Sequence, residues 1–484
     1  PHKGNMGIAS TTLSIGDGGL GVSRQLARPP ALVGCSGSGT AATVYFAASY
    51  EDAISTFGYG KLTALAAEYF GGVGGPLVMV KATSSTAGSV SGSVTAVGTS
   101  TAVMTVSTAT SVDDFRVKIK VVRAAALLAD VTAAVKVSLD GGITYGEEIA
   151  VPLSGVLSLT NTGLAVTWAD GTFVINDTFA FTATAPIWDT TALGAALDAL
   201  EATTYDHEFI HVAEHVTGAT VGTLNTSISD LEAANTFRWW LAGTRDQSSG
   251  ESVSTWQGVL LGVSPGFSAF TSRHGAVCAS FAEHDDATWN CSMRRNVSWV
   301  IGPRLALVRE VSGGAGLAEH PGRVRSGALS GIDDGDLVHD FRTLTALDTG
   351  RFMGAQSLPG RGGYYATAVT RATAGSDFTS IMHVRLVKEA ARLSVSVMQE
   401  FINDNVRTIT GGLIDPRDAD AADAYVGDRL RLDLVESGLA SAVTVQVDRT
   451  NNVVATSQLN FKVRVRPLGY ATLIDIDLAL STAE

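Results

Sequence analysis

The chain has 484 residues, 45% of them apolar and only 17% charged, with a formal charge of −13. That length exceeds one ordinary core and predicts two to four domains, and so little charge predicts that much of the surface is covered by another molecule. The acidic balance argues against nucleic acid as the main partner, because phosphate binding needs a basic footprint.

Three dispersed cysteines, Cys35, Cys278 and Cys291, fit a reducing compartment without a disulfide framework. The opening PHKGNMGIASTT lacks the apolar region of a secretory signal, and no run approaches the ~18 apolar residues of a membrane span. Synthesis in the cytoplasm is the expectation.

Residues 1–28 read as an arm. Thr11, Leu13 and Ile15 sit among Gly, Ser and Thr, and the run GDGGLG with Gly16, Gly18, Gly19 and Gly21 is a hinge rather than a core element. A short strand at 13–15 is free to pair elsewhere. From Pro29 the chain turns globular: a strand at 31–34, a helix capped by Ser49 and running to 57, a helix at 62–70 stopped by Gly71 and Gly72, and a buried strand at 77–81.

At Ala82 the composition shifts to Ser, Thr, Val and Gly. Alternation at 115–121, 135–139 and 173–181, with turn signals Asp140-Gly-Gly and Asp170-Gly, predicts a β-sandwich over 82–187, inserted in a loop of the first domain and projecting outward. Helix and strand then alternate again. Helices are expected at 189–200, 221–234 and 254–261, and strands at 209–213, 237–242, 276–281 and 298–301. The order implies a mainly parallel, doubly wound mixed sheet in which 29–81 and 188–345 form one α/β core.

Residues 346–484 read as a C-terminal α+β domain. An amphipathic helix at 379–403 has an apolar stripe of Val384, Val387, Ala391, Val395, Met398 and Ile402, with Arg385, Lys388, Glu389, Arg392, Gln399 and Glu400 facing away. A second, at 417–436, carries Tyr425, Leu432 and Val435 on one side and Asp423, Asp428, Arg431 and Glu436 on the other. From Val443 the pattern has period two. Phe461, Val463 and Val465 point one way, and in a last strand Ile474, Ile476, Leu478 and Leu480 share a face. A terminal strand with such a face needs a partner edge, and that edge can belong to another chain.

The loudest catalytic match is His207-Glu208-Phe209-Ile210-His211, of the form H-E-x-x-H, with His215 beyond. The zinc motif requires a helix, on which both imidazoles share a face. Here residues 203–205 break the preceding helix and 209–213 read as a strand, along which the two histidines stand roughly 13 Å apart. Cys278, His284 and Cys291 have no close-pair zinc spacing, Gly34-Cys-Ser-Gly-Ser-Gly39 is neither a phosphate loop nor a nucleophile elbow, and Asp333, Asp334 and Asp336 lack the full calcium loop. No catalytic, cofactor or metal residue is expected.

Several stretches in order resemble the tail sheath proteins of contractile-tailed bacteriophages. ARPPALVGCSGSGTA and FGYGKLTALAAEYFGGVGGPLVMVK resemble that family's N-terminal region, the likeness carried by Gly71, Gly72, Gly74, Gly75 and the strand at 78–81. Residues 351–406 resemble the segment before its long helix, and FKVRVRPLGYATLIDIDLAL its C-terminal strands. The likeness covers 29–81 and 188–484 and leaves the β-rich insert as the variable part; the turn at 58–61 is tighter than the family's loop.

The resemblance implies a homo-oligomeric subunit, stacked as hexameric rings around a tail tube, that contracts and drives the tube through the host envelope. It implies baseplate and tail terminator partners, no direct nucleic-acid or membrane contact, assembly in the host cytoplasm and residence in the virion tail. Exchanged strands would be those of Thr11, Leu13 and Ile15 and of Phe461, Val463, Val465, Ile474, Ile476, Leu478 and Leu480, with Gly438 as a second hinge and Arg417, Arg429 and Arg431 toward the tube. Rival readings are another phage tail or capsid structural protein, and a zinc peptidase through HEFIH.

Overall fold

The computed structural model describes residues 28–130, 132–310, 337–357, 364–402 and 404–469. Its centre is β1 (Ala31–Gly34), four residues buried on both faces, as the middle of a parallel sheet requires. The chain continues through β2 (Val44–Ala47), α1 (Tyr50–Phe57), α2 (Lys61–Gly72) and β3 (Leu77–Lys81). Ser49 caps α1 by accepting from the Asp52 N–H at 3.2 Å. Later come α3 (Thr190–Ala202), β12 (Phe209–His215), α4 (Gly218–Ala233), β13 (Trp239–Gly243), α5 (Val253–Leu261) and β14 (Gly275–Cys278). The sheet order is β14-β13-β12-β1-β3-β2, parallel except for β2, an edge strand that the sequence did not reveal.

Period-two alternation sends neighbouring residues to two cores. Leu32, Phe209 and Leu241 face α2 and its neighbours; Val33, Ile210 and Trp240 face α3, α4 and α5. Both faces are covered, which is why these strands read as continuous apolar runs.

Residues 89–184 form eight antiparallel strands: β4 (Ser89–Val97), β5 (Met104–Ala109), β6 (Phe115–Arg123), β7 (Ala134–Ser138), β8 (Glu148–Ala150), β9 (Val156–Leu159), β10 (Leu164–Trp168) and β11 (Thr178–Thr184). They make a five-stranded sheet, β4-β11-β6-β7-β8, and a three-stranded sheet, β5-β10-β9, around one core that includes Ile119, Val166, Trp168 and Phe179. Thr86 pairs with Ile187, so the chain leaves and re-joins the α/β layer side by side.

Three expected strands are corrected. The run at 276–281 is not one strand: β14 ends at Cys278, and β15 (Phe281–Asp286) begins a hairpin with β16 (Cys291–Asn296). The segment at 298–301 is helical, the start of α6 (Ser298–Glu310), where Asn296 Oδ1 accepts the Ser298 N–H at 3.0 Å. A short apolar run cannot distinguish a buried strand from a buried helix by periodicity. The strand expected at 173–181 begins only at Thr178, because Asn176 adopts a left-handed turn with φ +71°.

After α7 (Thr345–Thr349) and the small pair β17 (Ala355–Ser357) and β18 (Tyr364–Ala366) comes α8 (Ile381–Met398). Its expected orientation is wrong in part. Val387 and Ile402 are 40% and 67% exposed, whereas Arg385, Lys388 and Glu389 are buried, because charged partners from distant elements meet them there. In α9 (Pro416–Leu430) and the π-turn at Arg431–Glu436, the buried stripe is Ala419, Ala422, Val426, Leu430 and Leu434, while Tyr425 and Leu432 face outward. The chain then forms β19 (Ala440–Val447), α10 (Val453–Thr456) and β20 (Phe461–Pro467).

Candidate assembly interface

The antiparallel hairpin β19–β20 stands on the last helices. Val443 pairs with Val465, Val445 with Val463 and Val447 with Phe461; Val443, Val445, Phe461, Val463 and Val465 pack on Leu386, Ala390, Val426, Leu430 and Leu434, and Val447 on Ile414, Ala419 and Ala422. Lys462, Arg464 and Arg466 face outward. Among the described residues the hairpin is a two-stranded sheet, so both outer edges present unpaired backbone groups. Phe461, Val463 and Val465 thus lie in a strand bonded on one side within the chain. Thr11, Leu13, Ile15, Ile474, Ile476, Leu478, Leu480 and the glycines 16, 18, 19 and 21 lie outside the described residues.

Gly438 joins the π-turn to β19 with φ +76°, a left-handed conformation that favours glycine. Arg417, Arg429 and Arg431 are exposed along α9 and its extension. Arg431 reaches Glu436 at 2.5 Å and Asp428 at 3.8 Å, and Arg429 lies 4.0 Å from Asp433.

Beside the hairpin is a groove of about 1080 Å³ between the end of α8, the outer side of α9 and residues 453–461. Met398, Phe401, Ile402, Tyr425 and Leu459 give it an apolar floor, and Glu400, Asp404 and Asp418 stand in its lining without a basic side chain among them. Phe401 meets Tyr425 and Phe461 edge-on or tilted, with ring centroids 5.8 and 5.6 Å apart. Periodicity in α9 missed this site because it assigned Tyr425 to the buried stripe.

A charged seam holds this C-terminal unit to the α/β layer. Arg385 Nη2 donates to Glu208 at 3.0 Å, Lys388 Nζ to Glu232 at 2.7 Å, and Arg28 to both Asp206 at 2.8 Å and Glu389 at 3.5 Å. Burial works against the Glu232 carboxylate, but Lys388, Arg273 and His274 outweigh it and hold its pKa below the usual range. Burial, reinforced by Lys388, pushes His274 down to about 4.

A second ionic cluster ties the β-rich unit to the layer. Arg295 donates to both oxygens of Asp113, at 2.8 and 2.6 Å, and to Asp286 at 3.0 and 2.6 Å, and Lys61 reaches Asp114 at 2.6 Å.

The other sequence motifs are absorbed by the fold. His207 precedes β12 and His211 lies within it; Tyr69 Oη is 2.9 Å from His211 Nδ1, and Glu208 belongs to the seam. Burial pushes both histidines down to about 3. Among the described residues no group of three His, Cys, Asp or Glu is arranged to hold a metal ion. Cys278 is in the core and His284 Nε2 meets Glu68 at 2.8 Å. In the loop after β1, the Gly37 and Ser38 N–H groups donate to Tyr59 and Phe57 carbonyls. Asp333, Asp334 and Asp336 lie outside the described residues. No helix among the described residues is long and apolar enough to cross a membrane.

Three solved structures are similar in fold over nearly their whole length. The anti-feeding prophage baseplate, 6-fold symmetrised, is 11% identical with TM-score 0.53, covering 98% of this chain and 99% of that one. The anti-feeding prophage helical sheath in the contracted state is 10% identical with TM-score 0.53, covering 98% and 100%. The PVC sheath complex of an extracellular contractile injection system, in the contracted state, is 12% identical with TM-score 0.53, covering 98% and 99%. The fold is that of contractile sheath proteins, as the resemblance led one to expect. No curated protein matches the sequence significantly. The sequence pattern of the DUF2586 N-terminal domain matches residues 11–369, well over half of the chain, and the protein belongs to the DUF2586 family.

Proposed function

We propose that the protein is the structural subunit of a contractile sheath, polymerising as stacked hexameric rings around a tail tube and shortening to drive that tube through a host envelope. The observation that carries this is the full-length likeness to sheath and baseplate structures, over 98% of the chain. The two hairpin edges left open among the described residues support it, since an extended segment from another copy can add to each. A head-to-tail contact of this kind propagates into a helical tube.

In this reading residues 29–81 and 188–345 are the body, 82–187 an outward insert, and 346–484 the inner unit. The arm strands at Thr11–Ile15 and Ile474–Leu480 cross to adjoining copies. Bodies rotate rigidly while linkers at Gly16–Gly21 and Gly438 bend. Arg417, Arg429 and Arg431 face the tube, and baseplate and terminator proteins close the ends. The particle assembles in the host cytoplasm and its subunit is not an enzyme: the work comes from better burial between bodies.

Electron microscopy of the purified chain is the test. Wide helical tubes are expected; closed shells would favour a capsid protein instead. A variant lacking residues 473–484 should fold yet fail to polymerise, and normal tubes from it would refute the arm exchange. Reversing the charge of Arg429 and Arg431 should impair tube-templated assembly.

A further inference from the structure

We propose that in the free subunit the groove between α8 and α9 is filled by the chain's own N-terminal segment, residues 1–27. The groove needs a cover: Ile402 and Tyr425, which line it, are 67% and 49% exposed, beside the half-buried Phe401 and Leu459.

Charge selects the occupant. The lining holds Glu400, Asp404 and Asp418 and no Lys or Arg; Asp418 is already paired with Arg407 beside it, through the Arg407 N–H at 2.8 Å and Nε at 2.9 Å, which leaves Glu400 and Asp404 as the acids facing an occupant. Of the two terminal stretches beyond the described residues, 470–484 carries Asp475, Asp477 and Glu484 with no basic residue, and would be repelled. Residues 1–27 carry Lys3 and Arg24 against Asp17 alone, with Ile8, Leu13, Ile15, Leu20 and Val22 as apolar side chains. The acidic rim and the basic, aliphatic segment are complementary.

Position makes the contact intramolecular. Arg28, the first described residue, is held on α8 by Glu389 at 3.5 Å. From Glu389 to Glu400 the helical rise of ~1.5 Å per residue gives about 16 Å. Eight extended residues span about 26 Å, so 20–27 already reach the groove and the remainder can lie along it. Tethering at such a distance gives an effective concentration on the order of millimolar, well above that of any competing chain in dilute solution. Under the sheath reading, an arm that crosses to a neighbour must first leave this groove, so free subunits would be slow to nucleate. The docking itself does not depend on that reading.

The test uses the full chain with Tyr425→p-benzoylphenylalanine, irradiated at nanomolar concentration and digested. Cross-links from position 425 to residues 1–27 in protein that still migrates as one chain are expected. Cross-links to 470–484, cross-linked dimers or no cross-link would overturn the proposal. In a second arm, a labelled synthetic peptide of residues 1–27 is titrated into a variant lacking them. It should bind at least tenfold more tightly than to the full chain, whose groove is occupied, and Glu400→Lys with Asp404→Lys should weaken it at least tenfold. Equal affinity for both proteins, or indifference to the charge reversals, would also overturn it. Tube formation is scored separately by microscopy, so a failure of the sheath reading leaves these readouts intact.

Discussion

Replacing Arg295 by Met removes the one cation that stands between two buried carboxylates. The Arg295 side chain is 4% exposed and those of Asp113 and Asp286 are 0%. Four N–H donations of 2.6–3.0 Å join them, Trp289 Nε1 adds a fifth to Asp113 at 2.8 Å, and the guanidinium lies 4.4 Å from the Trp299 ring centre. Removing one partner of a buried pair costs about 3–5 kcal/mol, most of it the penalty of the charge left behind. Two such charges remain here.

Burial already pushes the Asp286 pKa above the ordinary range, with Arg295 opposing it. Without the arginine that opposition is lost and the Asp286 carboxyl rises further. Between that raised value and the unfolded value near 3.9, the folded variant holds a proton that the unfolded chain has lost, so its stability increases as pH falls. Urea unfolding followed by tryptophan fluorescence should therefore show a deficit of about 3 kcal/mol or more at pH 8 that narrows toward pH 5. Adding Asp113→Asn and Asp286→Asn to the Met variant should recover part of it. A deficit under about 1 kcal/mol at pH 8, or one that widens on acidification, would refute the assignment of this cluster as the anchor of the β-rich unit.

Three further outcomes follow from single positions. Burial pushes the Glu214 pKa up to about 8, so between the unfolded value near 4.5 and pH 8 the folded chain keeps a proton that the unfolded chain loses, and stability falls as pH rises. Glu214→Gln should flatten that slope by up to about 1.4 kcal/mol per pH unit, measured by urea midpoints from pH 5 to 9. Gly275→Ala would set a Cβ 2.2 Å from the Trp240 ring and 2.4 Å from its carbonyl oxygen; a loss of about 3 kcal/mol or more in the same assay is expected. Tyr69→Phe strips the hydroxyl from buried His211 and should cost about 1–3 kcal/mol, while zinc or a chelator should leave the unfolding midpoint of either protein unchanged.

Much of the architecture was legible in local pattern. The Ser49 cap, the buried run of β3 and the strand reading of HEFIH depend on neighbours in sequence, and so they matched the structure. The hairpin strand Phe461–Pro467 was equally plain from its alternation. The groove was not, since its walls come from segments more than forty residues apart, 398–406 and 453–461.

By itself the sequence determined element type wherever period, cap or turn chemistry was strong, along with the apolar faces that must find a cover. Only the tertiary structure decided that α8 buries Arg385, Lys388 and Glu389, because their partners Glu208, Glu232 and Arg28 arrive from over 150 residues away. The same holds for Asp113 and Arg295, 182 residues apart. A charged side chain looks solvent-facing until its counter-charge is brought to it, and that meeting depends on the path of the whole chain, not on the residues beside it.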